Sequence, residues 1–332
     1  MRRLPHLPHY DAQTVEQAFL AYLRGRCRHL PQVAVGIGDD AAVINPSDGQ
    51  LVACTDQIID GTDFDSRRFE LDGHRWADVG FKSIAINLSD MAAMGGKPRS
   101  VLVTIALPNQ NPSRIAGDVY EGILEAAAEY DLAIAGGDIS VYDGPLSISV
   151  TLLGSVPSGK AWLRSGAQEG DAIFVSGAVG GSLRGRHLRP QPRIELAKRI
   201  RELEICVHAA IDISDGLSLD LDRLCASSGV GAELDAEAIP IHADAIERAQ
   251  ETGCTPWEHA WRDGEDFELI VTMNQEDAKQ ISKIDLGVPL TCIGEIVGRT
   301  GMWKRNLGKL ERLMPQGYVH GKSSTQANPE SS

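Results

Sequence analysis

The chain has 332 residues, of which 42% are hydrophobic, and this length favours two globular domains over one. Its 46 acidic and 32 basic residues give a formal net charge of −14, which argues against a general nucleic-acid-binding protein. The six cysteines form no C-x-x-C pair, and no run reaches the roughly 18 apolar residues of a membrane span. We therefore expect a cytoplasmic protein with reduced thiols that binds neither nucleic acid nor membrane.

Strand-like and helix-like segments alternate in the first half of the chain, which predicts an α/β fold. Helices are predicted from an Asp11 cap into the low twenties, from Asp72 to about Met94 and from Pro112 to Tyr130. Strands are predicted at Leu51–Thr55, Val101–Leu107, Leu132–Ala135 and Leu146–Leu153.

The turn residues Pro157-Ser-Gly159 are the best candidate for a domain boundary. We therefore expect an N-terminal domain at 1–156, a C-terminal α/β domain at 157–320 and a disordered tail at 321–332. In the second half, strands are predicted at Asp171–Val175, Ala209–Ile213, Phe267–Thr272 and Leu290–Ile296. Helices are predicted at Arg193–Leu203 and Leu217–Ser227.

Aspartates recur beside glycines or at the ends of apolar runs, which are positions where a scaffold presents functional groups. The motifs are Gly36-Ile-Gly-Asp-Asp40, Thr55-Asp56, Asn87-Leu-Ser-Asp90, Gly136-Gly-Asp138, Asp212-Ile-Ser-Asp-Gly216 and Gly264-Glu-Asp266. Several carboxylates brought together would repel one another unless hard cations lay between them, and oxygen-rich groups are the ligands that Mg²⁺ takes. The pattern predicts a metal-dependent enzyme that acts on phosphates.

Each motif taken alone also has an ordinary structural explanation. Ser214 or Asp215 could be a helix N-cap, and Glu265 with Asp266 could form a solvated acidic turn. The Gly-rich turn Gly177–Ser182 could cradle phosphate through its N–H groups, although it does not match the Walker pattern. Arg164 could clamp a phosphate or could be a surface arginine.

The order and spacing of the motifs are more specific than any one of them. Together with Phe81-Lys-Ser-Ile-Ala-Ile-Asn87, Leu163-Arg-Ser-Gly-Ala167 and Gly264-Glu-Asp-Phe-Glu-Leu269, they resemble the thiamine-monophosphate kinase family from about residue 15 to 320. That family belongs to the superfamily of aminoimidazole ribonucleotide synthetase and selenophosphate synthetase. The resemblance implies a two-domain α/β (α+β) fold with mixed sheets and helices on one side. It also implies a homodimer formed through an N-terminal domain that binds ATP and metal.

The resemblance further implies phosphorylation of thiamine monophosphate by ATP and Mg²⁺. The implied metal ligands are Asp40, Thr55, Asp56, Asp90, Asp138, Asp212 and Asp215. The implied ATP contacts are Gly137, Asp138, Arg164 and Ser214. The implied substrate contacts are Asp63, Glu265 and Tyr318. Asp63 stands where the family usually has a histidine, so the substrate contact at this position differs from that of the family.

The implied chemistry needs no general base or protein nucleophile, because a phosphate monoester with a second pKa of about 6 is mostly dianionic near pH 7. Two alternatives stay open at this point. The chain could be another enzyme of the same ATP-dependent superfamily, or a nucleotide-binding sensor without turnover. Turnover of thiamine monophosphate with ATP discriminates among the three.

Overall fold

The computed structural model describes residues 22–28, 30–37, 41–46, 48–306 and 309–318. The chain divides into two compact units, Met1–Ala161 with His187–Leu203, and Trp162–Arg186 with Glu204–Ser332. The predicted boundary after residue 156 lies close to this division, but the predicted C-terminal domain included the segment His187–Leu203. The predicted tail at 321–332 and most of the first predicted helix lie outside the described residues.

The segment His187–Leu203 belongs to the first unit because its side chains bond to that unit. Arg189 forms an ion pair with the buried Asp78 at 2.9 Å. Arg201 donates hydrogen bonds to the carbonyl oxygens of Gly95 and, at 2.6 Å, of Lys160. Sequence order alone does not reveal such a return of the chain to the first unit.

The first unit contains a small two-stranded sheet and a four-stranded sheet with helices. Its strands are β1 (Val33–Val35), β2 (Val43–Ile44), β3 (Gln50–Ile59), β4 (Lys97–Pro108), β5 (Ala133–Tyr142) and β6 (Ser147–Val156). Its helices are α1 (Phe69–Asp72), α2 (Trp76–Ala93), α3 (Pro112–Glu129) and α4 (Ile194–Glu202). The strands and helices predicted between Leu51 and Leu153 are confirmed, with shifted ends.

The larger sheet has the order β3-β6-β4-β5, so that β3 and β5 are its two edge strands. Helix α2 is buried along nearly its whole length, between the sheet, α3 and α4. It meets α3 closely because both helices have a glycine at the crossing: a Cβ on Gly80 would lie 1.9 Å from the Val119 carbonyl oxygen, and one on Gly122 would lie 1.7 Å from that of Ala77. The apolar face of the sheet is thereby fixed against α2.

The opposite face of this sheet has no helix packed on it within the described residues. On β3 the side chains of Leu51, Ala53, Thr55 and Gln57 alternate with more buried ones and are exposed, Leu51 by 68%. We call this surface, formed by the outward side chains of β3, β6, β4 and β5, the uncovered sheet face.

The second unit is built on a seven-stranded sheet of order β13-β12-β9-β11-β7-β10-β8. Its strands are β7 (Ala172–Ser176), β8 (Val207–Asp212), β9 (Gly231–Leu234), β10 (Leu269–Met273), β11 (Leu290–Val297), β12 (Gly301–Asn306) and β13 (Lys309–Leu313). Its helices are α5 (Leu217–Ser228), α6 (Ala243–Thr252), α7 (Pro256–Arg262) and α8 (Gln275–Ile281). All neighbouring strands pair antiparallel except β9 and β12.

Strand β8 and helix α5 flank the turn that carries the candidate site residues Asp212, Ser214 and Asp215. Ile211 of β8 and Leu217, Leu221 and Leu224 of α5 belong to one buried core. This core fixes the turn from Asp212 to Gly216 between the end of the strand and the start of the helix. In the described part of the chain, no helix combines the length and the apolar character that a membrane crossing requires.

Candidate functional site

In the first unit, the carboxyl groups of Asp56 on β3 and Asp90 on α2 are joined by a side-chain hydrogen bond. Helix α2 packs on β3 just before the two aspartates in each element. The thiol of Cys54, which lies on β3 ahead of Asp56, donates to the carbonyl oxygen of Asn87, which lies on α2 ahead of Asp90, at 3.4 Å. Burial raises the pKa of the Asp56 carboxyl, the charge of Asp63 raises it further, and the bond to Asp90 opposes this rise. A carboxyl pair in contact requires a shared proton or a cation.

Asp63 lies in the loop that follows β3 and is half-buried. Its Oδ2 accepts a hydrogen bond from the Ile59 N–H at 2.8 Å, and its main-chain carbonyl accepts one from the Lys82 ammonium at 2.9 Å. Lys82 is 1% exposed, and its contact with the loop that carries Asp63 was not predicted from the sequence. The signal was its spacing of four and eight residues from Ile86 and Asp90, which places all three on one side of α2.

The side chains of Thr55 and Asp138 do not lie on the same face of the sheet as that of Asp56. Neighbouring side chains of a strand point to opposite faces, so Thr55 lies on the uncovered sheet face, where its hydroxyl donates to the Val150 carbonyl at 3.0 Å. Asp138, which follows Gly137 on β5, pairs with Thr104 and is exposed on the same face at the opposite edge of the sheet. Within one chain, strands β6 and β4 separate Asp138 from Thr55. Asp40 lies outside the described residues.

In the second unit, Asp212 ends β8 and Asp215 lies in the turn before α5. The Asp215 N–H donates to Asp220 Oδ2 at 2.9 Å. Arg223 Nη1 contacts Asp215 Oδ2 at 2.5 Å and Asp220 Oδ1 at 2.7 Å. Burial, followed by the charge of Asp212, raises the pKa of the Asp220 carboxyl to about 7.

Asp220 and Arg223 were missed from the sequence. The available signal was an acidic residue five positions after Asp215, followed by a basic residue one helical turn later.

Ser214, Glu265 and Tyr318 are brought together by main-chain hydrogen bonds. The Glu265 N–H donates to the Ser214 carbonyl at 2.6 Å, and the Tyr318 N–H donates to the Asp215 carbonyl at 2.9 Å. Glu265 has φ 61, a left-handed conformation that is uncommon for a side-chain-bearing residue. The three predicted residues therefore surround the turn that carries Asp215.

The Gly-rich turn Gly177–Ser182 serves a different purpose from the phosphate cradle considered above. The Gly180 N–H contacts Asp266 Oδ2 at 2.9 Å, and the Gly181 N–H donates to Asp263 Oδ2 at 3.1 Å. Because these two N–H groups already have carboxylate partners, the interpretation as a phosphate cradle is wrong for them. Asp266 is a buried clamp and not part of a solvated turn; it also pairs with Arg186 at 2.9 Å, and burial raises its pKa to about 7.

Arg164 is exposed on a loop of the second unit. Ser228 at the end of α5 fixes this loop: its hydroxyl donates to the Arg164 carbonyl at 3.1 Å and accepts from the Gly166 and Ala167 N–H groups at 3.2 Å. The main chain at Arg164 is thus held in place, while its guanidinium faces solvent.

The candidate ligands supply the oxygen atoms that a magnesium ion prefers, but too few of the described ones lie together to hold it without water or substrate. Among the residues that the structure describes, no three His, Cys, Asp or Glu side chains are close enough together to hold a metal ion. The carboxylates instead occur in twos: Asp56 contacts Asp90, and the carboxylates of Asp215 and Asp220 both contact Arg223 Nη1. Mg²⁺ commonly binds one or two carboxylates and takes its other ligands from water and substrate phosphates, so this all-oxygen donor set suits it.

Comparison with known proteins gives a consistent picture across the chain. Residues 38–156 match the family model of the AIR synthase related protein N-terminal domain, and residues 154–302 match that of its C-terminal domain. The chain is 59% identical to the thiamine-monophosphate kinase of Rhodopirellula baltica over 94% of this chain and 99% of that relative.

Two solved structures extend the comparison to the fold. The crystal structure of thiamine-monophosphate kinase from Stenotrophomonas maltophilia K279a has a TM-score of 0.75 and 35% identity, covering 86% of this chain and 95% of that one. AaThiL complexed with AMPPCP and TMP has a TM-score of 0.71 and 28% identity, covering 96% of this chain and 99% of that one.

Proposed function

The chain belongs to the thiamine-monophosphate kinase family, and we propose that it transfers the γ-phosphate of ATP to thiamine monophosphate to form thiamine diphosphate. The identity of 59% over 94% of the chain is the observation that carries this proposal. The complex of AaThiL with AMPPCP, an ATP analogue, and TMP supports both substrates. The high identity to a kinase over nearly the whole chain favours turnover over a role as a sensor.

We propose Mg²⁺ as the cofactor. Its candidate ligands in the first unit are Asp56 and Asp90, whose carboxyl groups are already in contact. Asp40, Thr55 and Asp138 are further candidates; the Thr55 and Asp138 side chains lie on the other face of the sheet, so they would serve a cation bound on that face. In the second unit the candidate ligands are Asp212 and Asp215. Bound Mg²⁺ would neutralise phosphate charge and hold the reacting oxygens in line. The protein's own contribution is to hold these carboxylates at fixed positions on a strand end, a helix and a turn.

The remaining candidate contacts follow the chemistry of the two substrates. Gly137, Asp138, Arg164 and Ser214 are proposed for ATP, and the Arg164 guanidinium is exposed and suited to bidentate contact with phosphate. Asp63, Glu265 and Tyr318 are proposed for thiamine monophosphate. The bonds from Glu265 and Tyr318 to the turn at Ser214 and Asp215 support a common position for these groups.

Phosphoryl transfer needs no proton acceptor here, because the attacking monoester is already mostly dianionic. Catalysis then consists of positioning two anions and compensating their charge. We propose direct transfer without a phosphoenzyme.

A homodimer is also proposed, formed through the uncovered sheet face and its edges. Strands β3 and β5 are the edges of a sheet whose outward side chains include the exposed Leu51 and Tyr142. If β5 of a second copy approached β3, Asp138 of that copy would lie near Thr55, which a single chain does not achieve. We place the enzyme in the cytoplasm, since none of the six cysteines forms a disulfide.

The test is a steady-state assay with ATP, Mg²⁺ and thiamine monophosphate, with product formation followed by chromatography. Thiamine diphosphate should form in step with ADP. Release of ADP without thiamine diphosphate, or no turnover at all, would overturn the proposed reaction. Incubation with γ-³²P-ATP alone should leave the protein unlabelled, and a labelled protein would refute direct transfer.

A further inference from the structure

Arg223 occupies the position of a cation in the second unit. Its Nη1 lies 2.5 Å from Asp215 Oδ2 and 2.7 Å from Asp220 Oδ1, so one nitrogen bridges two carboxylates. We propose that Arg223 competes with the divalent cation for Asp215 and so keeps the affinity of this site for free cation low. This inference rests on the proposed function, because it takes the Mg²⁺ role of Asp215 from it.

The charges explain why a bridge is needed. Asp212 and Asp220 are 3% and 1% exposed, and the charge of Asp212 acts on Asp220. Buried like charges at short range are costly unless an opposite charge or a proton compensates them. Arg223 donates to two members of this group and supplies that compensation in the absence of a metal ion.

The exposure of the partners indicates which contact can open. The Arg223 and Asp215 side chains are 38% and 18% exposed, whereas the Asp220 side chain is 1% exposed and also accepts the Asp215 N–H at 2.9 Å. A cation that binds Asp215 is repelled by the guanidinium at Oδ2, and moving Arg223 away from that oxygen relieves the repulsion. Asp220 can retain the guanidinium, so the displaced side chain stays close and the exchange is reversible.

The consequence is a coupling between cation and nucleotide. A free divalent cation must overcome the Arg223 contact by itself. A cation that arrives with a polyphosphate brings further oxygen ligands and negative charge, which offset the lost contact. The bridge therefore favours uptake of the metal together with the nucleotide over uptake of the metal alone.

The experiment measures Mn²⁺ binding without nucleotide by electron paramagnetic resonance, in the full-length protein. Arg223→Met should bind Mn²⁺ about tenfold more tightly than the wild type, since a unit charge a few ångströms from the ligand is removed. Arg223→Lys keeps the charge without the planar guanidinium and should lie between them. Unchanged or weaker binding in Arg223→Met would overturn the proposal.

The matched control is Arg305→Met, which removes an exposed arginine of the same unit that pairs with Glu233. Its Mn²⁺ affinity should equal that of the wild type, and an equal gain there would reduce the effect to net charge. Asp215→Asn in the Arg223→Met background should abolish the gain; if the gain survives, Asp215 is not the contested ligand. Thermal unfolding in EDTA establishes that the variants are folded. The Mn²⁺ binding assay needs no turnover. A negative result therefore overturns the role of Arg223 without bearing on the kinase activity, which the steady-state assay tests separately.

Discussion

The main-chain N–H of Tyr318 donates a hydrogen bond to the carbonyl oxygen of Asp215 at 2.9 Å. This bond ties the C-terminal segment to the turn that carries a proposed metal ligand. The neighbouring carbonyl, that of Ser214, accepts the Glu265 N–H at 2.6 Å. Residues proposed for the substrate and residues proposed for metal and ATP therefore share one turn, and a disturbance of either segment should affect the other.

Gly317→Ala tests this connection. A Cβ at Gly317 would lie 2.4 Å from the Asp215 carbonyl oxygen, so the segment must move away and lose the Tyr318 bond. We expect the KM for thiamine monophosphate to rise about fivefold, the equivalent of one hydrogen bond of about 1 kcal/mol. Gly25→Ala is the control, because nothing lies within 4 Å of a Cβ there. A KM equal to that of the control would show that the segment plays no part in substrate binding.

Asp90→Asn should abolish kinase activity and leave the protein folded. The amide can still hydrogen-bond Asp56, so the metal-free protein should be as stable as the wild type or more so at pH 8, where two carboxylates in contact repel. Stabilisation of the fold by added Mg²⁺, read from the unfolding temperature, should be reduced. Asp118→Asn removes an exposed carboxylate paired with Arg114 and should change neither readout. Full activity of Asp90→Asn would exclude Asp90 from the metal set.

Leu51→Arg tests the dimer. Leu51 is 68% exposed on the uncovered sheet face, and a charge there should prevent a second copy from burying that face. We expect the wild type to be a dimer by light scattering at micromolar concentration and the variant to be a monomer with lower activity. Leu71→Arg is the matched control, since Leu71 is 81% exposed on α1, away from the sheet. A wild-type monomer with full activity would contradict the proposed dimer.

The strands could be predicted because their signals, such as the apolar run Val101–Leu107, depend only on nearby sequence. Asp56 and Asp90 were singled out through the family resemblance, because no local signal brings together two residues that are so far apart in the chain. The order of strands is not local, so nothing in the sequence placed Asp138 at the edge opposite Thr55. Helix α7 was missed although Thr255 and Glu258 form a capping box, which is a recognisable sequence signature.

Asp266→Asn should change the pH dependence of stability. Burial raises the pKa of Asp266 to about 7, above its unfolded value of 3.8. A raised carboxyl pKa gives stability that is fully present below about pH 4 and is lost as the pH rises through about 7. The free energy of unfolding of the wild type should therefore fall relative to that of Asp266→Asn between pH 5 and 8, by roughly 1–3 kcal/mol.

Urea unfolding at several pH values measures this difference. Asp244→Asn removes the other carboxylate partner of Arg186 and serves as the control, with a pH dependence like that of the wild type. If the wild type and Asp266→Asn show parallel pH profiles, the buried carboxylate does not titrate in this range.

Substitutions of Asp63 distinguish a direct contact with the substrate from a role in holding its own loop. The Asp63 carboxylate accepts the Ile59 N–H at 2.8 Å and raises the pKa of Asp56, so it neither faces solvent nor lies far from the proposed metal ligand Asp56. Asp63→Asn removes the charge but can keep the hydrogen bond to Ile59, whereas Asp63→Ala removes both. If the charge contacts the cationic thiazolium or the aminopyrimidine, both variants should raise the KM for thiamine monophosphate, by about tenfold for a charge-assisted contact.

The KM for ATP should stay within about twofold in both Asp63 variants, because the lost interaction concerns the other substrate. Asp60→Asn is the control, since Asp60 accepts hydrogen bonds from the Ser66 N–H and hydroxyl in the same loop. If Asp63→Ala and Asp60→Asn raise the KM for thiamine monophosphate but Asp63→Asn does not, the loop conformation matters and the Asp63 charge does not. Unchanged kinetics in both Asp63 variants would leave recognition of thiamine monophosphate to Glu265 and Tyr318.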